Sequence, residues 1–257
     1  MALDWKIFTQ RPYIKSLSLE EQVRLFRIAN EKSIRYRTRS GTGTTSTPFT
    51  NTRSLSFDGT DDFISFSSAI SLSGAFTISA WIKPTSNITG NNCLIFSSAT
   101  SNQNKIGTNG ANKIQVKLGG STVFTTESGG NVFVLNEYQH MLIIRDSSNN
   151  ITTFRNGAAF GSSVTNSNTG TIDSIGKFNT TTFLQPALVD EVAIFNTDQS
   201  SNVSSIYNSG VPGDLSSLSP LHWYRFEEGS GTTATDSGTA GNNGTIDGAT
   251  YSTEVPT

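Results

Sequence analysis

The sequence predicts an all-β antiparallel sandwich carried behind a short N-terminal helical arm. Two observations predict the sandwich. From residue 54 onward, short runs alternate apolar and polar residues, and clusters of Gly, Asn and Asp separate the runs at regular spacing. A third observation predicts the arm: before residue 38 the apolar period is helical, and a Gly/Ser/Thr-rich stretch at 38–53 divides the two regimes.

Taken in order, residues 1–17 are expected to be irregular, because Arg11-Pro12-Tyr13 interrupts any regular element. Ser18 and Glu21 form an S-x-x-E capping box, in which each side chain satisfies an orphan backbone N–H. Leu19, Val23, Phe26 and Ala29 follow at helical spacing, with Leu25 and Ile28 widening the stripe. A helix over 19–36 is predicted, its other faces carrying Arg24, Arg27, Lys32, Arg35 and Arg37. The stripe could pack on the sandwich or meet another subunit; the second is preferred. Strands are then expected at Leu55–Phe57, Phe63–Phe66, Phe76–Ile82, Ile114–Leu118, Val132–Leu135, Met141–Ile144, Ile151–Phe154, Phe183–Leu184 and Val189–Phe195. Asn156-Gly157 suits a type I′ hairpin turn, and 199–208 a short helix ended by Gly210 and Pro212.

Composition narrows the function. The net charge of −2 divides into +6 over residues 1–53 and −8 over 54–257. An acidic sandwich argues against nucleic-acid binding there. The basic arm interleaves its charges with Trp5, Phe8, Tyr13 and Phe26, which suits docking on a protein. Cys93 is the only cysteine, so an intramolecular disulfide and a cysteine zinc cluster are excluded; its apolar surroundings suit a buried structural thiol. No run approaches the ~18 apolar residues of a membrane span, and the start carries no apolar signal region. Folding in a cytoplasm, without membrane insertion, is the expectation.

Five segments in order carry a family resemblance. They are Ser54-Leu-Ser-Phe-Asp-Gly-Thr-Asp-Asp62, Phe76-Thr-Ile-Ser-Ala-Trp-Ile-Lys-Pro84, Tyr138-Gln-His-Met-Leu142, Phe154-Arg-Asn-Gly157, and Ile175-Gly-Lys177 with Val189-Asp-Glu-Val-Ala-Ile-Phe195. Together they resemble the laminin G-like members of the concanavalin A-like lectin/glucanase superfamily, which implies a jelly-roll sandwich over 54–257. Trp223-Tyr-Arg-Phe-Glu-Glu-Gly-Ser-Gly, continuing to Asp236, with Gly241-Asn-Asn-Gly-Thr-Ile246, resembles the usual start of that family but comes at the end here. Circular permutation, with 221–257 completing the sheets, is preferred over the stub of a second copy. A stub would expose Trp223, Tyr224 and Phe226, and chain ends of compact domains often lie close together.

The resemblance raises chemistry that the residues must be tested against. Retaining glycosidases need two carboxyl groups ~5–5.5 Å apart. The glucanases of this fold supply them as Glu-x-Asp-x-x-Glu on one strand face, a motif absent here. Asp190-Glu191 and Glu227-Glu228 are adjacent pairs, expected to point to opposite faces. His140 and His222 are the only histidines and are expected to pack or hydrogen-bond within the fold, so no enzyme is expected. Calcium is the one candidate cofactor, with Asp58, Asp61 and Asp62 sharing a turn and the resemblance adding Asp190; turn formation and edge protection are the competing explanation. Trp81 is expected in the core; Tyr138, Tyr207 and Tyr251 could be exposed, but none is singled out as a glycan contact.

Similar permuted sandwiches with Ser/Thr/Asn/Gly-rich loops occur in structural proteins of tailed phages, marine ones especially. That resemblance implies a virion structural protein on the particle surface: a capsid decoration, head fibre or tail adhesin. Its arm, residues 1–37, would dock on other virion proteins through Trp5, Phe8, Tyr13, Val23, Phe26, Arg24, Arg27 and Arg35. A cell-surface glycan and a second copy of the chain are the further partners it leaves open. A free carbohydrate-binding module or lectin is the alternative, and a glycosidase the third.

Overall fold

A computed structural model describes residues 18, 21–25, 49–87, 94–98, 103–108, 113–125, 132–179 and 182–257. The chain divides into two compact units, Met1–Pro48 and Phe49–Thr257.

In the first unit the capping box is formed. Ser18 donates from its backbone N and its Oγ to Glu21 Oε2 at 3.0 and 2.8 Å, and Glu21 N donates to Ser18 Oγ at 3.3 Å. The Ser18 hydroxyl and backbone N–H together hold the Glu21 carboxyl below its ordinary range. Residues 21–25 are helical, with Val23 and Arg24 exposed. The rest of the predicted helix, the arm residues Trp5, Phe8, Tyr13, Phe26, Arg27 and Arg35, linker residues 38–48 and Cys93 lie outside the described residues.

The second unit consists of two antiparallel sheets and a small ribbon. The first sheet runs in the order Ala158–Ala159, Asn150–Arg155, Gln139–Arg145, Phe76–Pro84, Ala187–Phe195, Ser54–Phe57, Thr250–Ser252. The second runs Thr233–Ala234, Gly244–Asp247, Phe63–Leu72, Gly170–Ile175, Leu94–Ser97, Lys105–Thr108, Ile114–Leu118, Ser121–Thr125. Between them lies a continuous core to which Ile78, Ala80, Ile82, Met141 and Ile143 contribute from the first sheet, and Ile64, Phe66, Phe96, Ile106, Val116 and Ile172 from the second. β-branched and aromatic side chains fill its pleated surfaces, where they pack best.

The first sheet is buried on its outer face as well. Ser200–Asn202, Val203–Tyr207 and Asn208–Gly210 form the short helical segment expected near 199–208. Val203, Ile206 and Leu215 pack there with Leu142, Ile144, Ala193, Phe195 and Trp223 in a second apolar cluster. This explains why nearly every residue of Phe76–Pro84, and every residue of Ala187–Phe195, is buried. Trp81 is buried, but on this outer side: its ring lies 4.9 Å from that of His140 and 5.9 Å from that of Tyr207. Asn156 and Gly157 have φ of 51° and 76°, as a type I′ turn requires. A Cβ on Gly157 would lie 2.5 Å from the Tyr207 ring.

Val132–Leu135 is not a strand. Val132 and Phe133 are both buried while Val134 and Leu135 are both exposed, so the period is not two. Gln139 takes the place of a neighbouring strand: its Oε1 accepts from Val134 N at 2.7 Å and its Nε2 donates to the carbonyls of Val134 and Glu137.

The C-terminal segment completes both sheets. Thr250–Ser252 pairs with Ser54–Ser56, and Gly244–Asp247 with Phe63–Phe66. His222–Tyr224 pairs with Val192–Ile194 rather than with Leu55–Phe57. Leu55–Phe57 holds the same edge of Ala187–Phe195 further along, opposite Ala187–Val189. Tyr224 and Phe226 are fully buried in the inter-sheet core.

Candidate functional site

Asp190 and Glu191 lie at the seam between these two edge segments. The register to Phe76–Pro84 shifts between Asp190 and Ala193, and Glu191 adopts a φ of 45°. Val189 and Val192 both reach the inter-sheet core although three residues apart, so the two residues between them form a bulge. The expectation that adjacent carboxylates face opposite ways is therefore corrected: the bulge leaves both on the outer side.

There a strap formed by residues 49–53 covers them. Asp190 Oδ2 accepts from Asn51 Nδ2 at 2.9 Å and Oδ1 from Glu191 N at 2.8 Å. Burial, and then the Glu191 charge, push the Asp190 carboxyl well above its ordinary range. Glu191 Oε2 accepts from Trp223 Nε1 at 2.6 Å and Oε1 from Arg225 Nε at 3.1 Å. Burial still raises its carboxyl to about 7 despite the arginine. The Arg225 guanidinium lies 4.3 Å from the Phe49 ring centre and 5.1 Å from that of Trp223, and donates to Thr50 O. Phe49 and Trp223 stack with an interplanar angle of 3°. Glu227 closes the strap by accepting from Thr52 N, Thr52 Oγ1 and Arg53 N at 2.8, 2.7 and 3.1 Å. Residues 49–53, assigned to the linker by composition, are thus seated on the sandwich.

The acidic turn is formed as expected. Ligand oxygens of Asp58, Asp61 and Asp62 lie within 4.8 Å of one another and could hold a hard cation. Two of these carboxylates also build the turn: Asp62 Oδ2 accepts from Asp58 N and Asp58 Oδ1 from Thr60 N, each at 2.7 Å. Burial, with the charges of Asp58, Asp61 and Asp247, raises the Asp62 carboxyl against the bond from Asp58 N. Asp190 is not brought to them. Leu55 pairs with Val189, which places Asp190 level with Ser54. Four residues of strand then separate it from Asp58, roughly 13 Å at ~3.3 Å per residue.

Both histidines serve the fold. His140 Nε2 lies 2.8 Å from Ser79 Oγ, but no carboxylate orients the ring and Nδ1 has no partner among the described residues. Complete burial lowers the His140 pKa to about 3, so the imidazole is neutral, and Ser79 is buried with it. His222 Nδ1 lies 2.7 Å from Asp236 Oδ2. Burial alone would raise Asp236, but His222 and the backbone N–H groups of Trp223, Gly238 and Asn242 together bring it below the ordinary range. Tyr138, Tyr207 and Tyr251 are all half-buried. The strap and the bulge escaped sequence reasoning. Their only signal was an acidic doublet inside the otherwise apolar run Val189–Phe195.

The comparisons agree with this architecture. A laminin G family model described as the concanavalin A-like lectin/glucanases superfamily matches residues 58–202, more than half of the chain. No curated protein matches the sequence. Among solved structures, a candidate carbohydrate-binding protein from Bacteroides ovatus is similar at 18% identity with a TM-score of 0.56. The match covers 82% of this chain and 62% of that one, so the chain spans less than two thirds of its length. A heptameric SAP-like pentraxin from Limulus polyphemus matches at 18% identity over 61% of this chain and 82% of that one, with a TM-score of 0.47. With two antiparallel sheets around one core and the family model spanning most of the strands that build them, the chain belongs to the concanavalin A-like lectin/glucanase superfamily.

Proposed function

We propose that the chain is a non-enzymatic structural protein of a virion, displaying a glycan-binding lectin-like sandwich on the particle surface and attached through its N-terminal arm. The observation that supports this most is the self-sufficiency of Phe49–Thr257. That unit closes its core with its own C-terminal strands and covers its buried carboxylates with its own strap. The basic arm, with its capping box, is then available for a partner. The order of the closing strands is read as circular permutation: from the segment resembling the family's start, Trp223–Tyr224 pairs with Val192–Ala193 and Gly244–Ile246 with Ile64–Phe66. The glycan reading draws on the family and on the Bacteroides ovatus relative. The non-enzymatic reading draws on the cover over Asp190 and Glu191, which denies substrate and water to this buried carboxylate pair of the first sheet.

Assembly tests the proposal. The full chain should join particles and residues 49–257 should not, while remaining folded. Equal loading of both would move the docking surface to the sandwich. A panel of polysaccharides should yield no reducing sugar; release that disappears in Glu191→Gln would establish a hydrolase instead. A free carbohydrate-binding module is the second reading, resting on the same fold, and it requires glycan binding without particle association.

A further inference from the structure

Where the helical cover of the first sheet stops short of Asn150–Arg155, its outer face carries a shallow, open depression. Phe154, half-buried and outward-facing, supplies the apolar floor above the buried Ile144 of the adjacent strand, and the rim carries Asp146, Thr152, Asp198 and Ser200 beside Asn150. The rim acids are oriented in advance. Asp146 Oδ1 accepts from the backbone N of Ser148 and of Asn150, both at 2.8 Å, and Oδ2 from Asn150 Nδ2 at 3.0 Å. Asp198 Oδ1 accepts from Ser200 N at 2.8 Å. Each Oδ2 retains acceptor capacity, and the hydroxyls of Thr152 and Ser200 can donate or accept. The Asn150 side chain holds the Asp146 carboxyl below its ordinary range, so it is ionised at neutral pH. No lining residue is a cation.

The geometry points to this depression as a subsite for one neutral sugar ring of a glycan, an inference that rests on the glycan-binding reading above. A pyranose has an apolar C–H face and a rim of hydroxyl donors. The floor matches the first, and two oriented carboxylates with two hydroxyls match the second. Two carboxylates in one concavity repel sialylated, sulfated and uronic residues, because like charge there concentrates an unfavourable field.

The test is an array of neutral and acidic oligosaccharides probed with the full chain, followed by titration of the best ligand against Asp198→Ala, Asp198→Lys and Thr152→Val. Thermal unfolding of each variant confirms that the fold is kept. Binding should be confined to neutral glycans. Asp198→Ala should weaken it at least about tenfold, as loss of a hydrogen bond to a charged group does, Asp198→Lys should abolish it, and Thr152→Val should weaken it. Should the wild type bind a glycan that the folded variants bind equally well, the subsite is elsewhere and the glycan reading stands. Preference for acidic glycans overturns the charge argument, and an array with no binding at all overturns the parent reading.

Discussion

Glu191→Gln should make the sandwich more stable at alkaline pH than the natural chain, and the gap should close in acid. Glu191 is 3% exposed beneath Trp223 and the strap, and burial raises its carboxyl from an ordinary 4.5 to about 7. The folded state therefore takes up this proton more readily than the unfolded chain. Its contribution is fully present below about pH 4.5 and is lost as pH rises through about 7. The difference corresponds to about 3 kcal/mol at ~1.4 kcal/mol per tenfold change in proton affinity. Glutamine is neutral throughout, has nearly the same shape, and can still accept from Trp223 Nε1, which donates to the carboxylate at 2.6 Å in the natural chain. Arg225, left without its carboxylate, keeps the Phe49 and Trp223 rings and Thr50 O. For a domain of this size ~2–4 °C accompanies each kcal/mol, so the variant should melt about 6–12 °C higher at pH 8 and within a degree or two of the natural chain near pH 4.5. Circular dichroism melts of both proteins across pH 4.5–8 read this directly. Parallel curves, or a variant less stable at pH 8, would refute the reasoning.

Other consequences of the structure are as direct. Deleting residues 221–257 should abolish cooperative unfolding, since Tyr224, Phe226 and Ile246 leave the core and large buried side chains are worth ~3–5 kcal/mol each; an unchanged melting curve would mark the segment as dispensable. Arg145 is fully buried, and its guanidinium donates to the carbonyls of Leu72, Gly74, Asn166 and Asn168, tying two loops to one strand. Arg145→Met should cost at least about 3 kcal/mol through unpaired buried acceptors, measured by denaturant unfolding; a loss below about 1 kcal/mol would show that those carbonyls find other donors. Millimolar calcium should raise the melting temperature by binding the native Asp58–Asp61–Asp62 turn, and Asp61→Asn should blunt the rise. No rise assigns the three acids to turn formation alone.

Much of the sandwich was legible because its strands obey simple rules. Phe76–Ile82 alternates apolar and polar residues, Val189–Phe195 is apolar around its acidic doublet, and Asn156-Gly157 supplies the two positive φ angles of its turn. Val132–Leu135 has the same composition as a strand and is not one: side chains bond its backbone where a neighbouring strand would, Gln139 at Val134 and Arg155 at the Val132 carbonyl. Residues 49–53 share the composition of the linker before them. What sets them apart is a partner more than a hundred residues away in each case: Asp190 for Asn51, Trp223 and Arg225 for Phe49, and Glu227 for Thr52. Composition carries no record of such contacts. The depression between Asp146 and Asp198 was hidden for the same reason, its two acids meeting only after the helical cover folds back on the sheet.

The seam shows why the argument from side-chain parity had to give way to one from cover. Alternation of faces holds only while the strand keeps its register, and Glu191 breaks it with a positive φ. The result is two carboxylates on one face, one of them raised to about 7, a value that would suit a general acid in an open cleft. Proximity and pKa alone would thus favour catalysis. What opposes it is that every oxygen of the pair has a protein partner: Asn51 and Glu191 N for Asp190, Trp223 and Arg225 for Glu191. A catalytic carboxyl must exchange protons with a substrate and admit water, and neither is open to a group beneath a stacked Phe49–Trp223 pair. His222–Tyr224 and Ser54–Phe57 follow one another along one edge of Ala187–Phe195. The Glu191 carboxylate binds Trp223 and Arg225 of the later segment, and Asp190 binds Asn51 just ahead of the earlier one. The acidic doublet is therefore the clasp that joins the two ends of the sandwich.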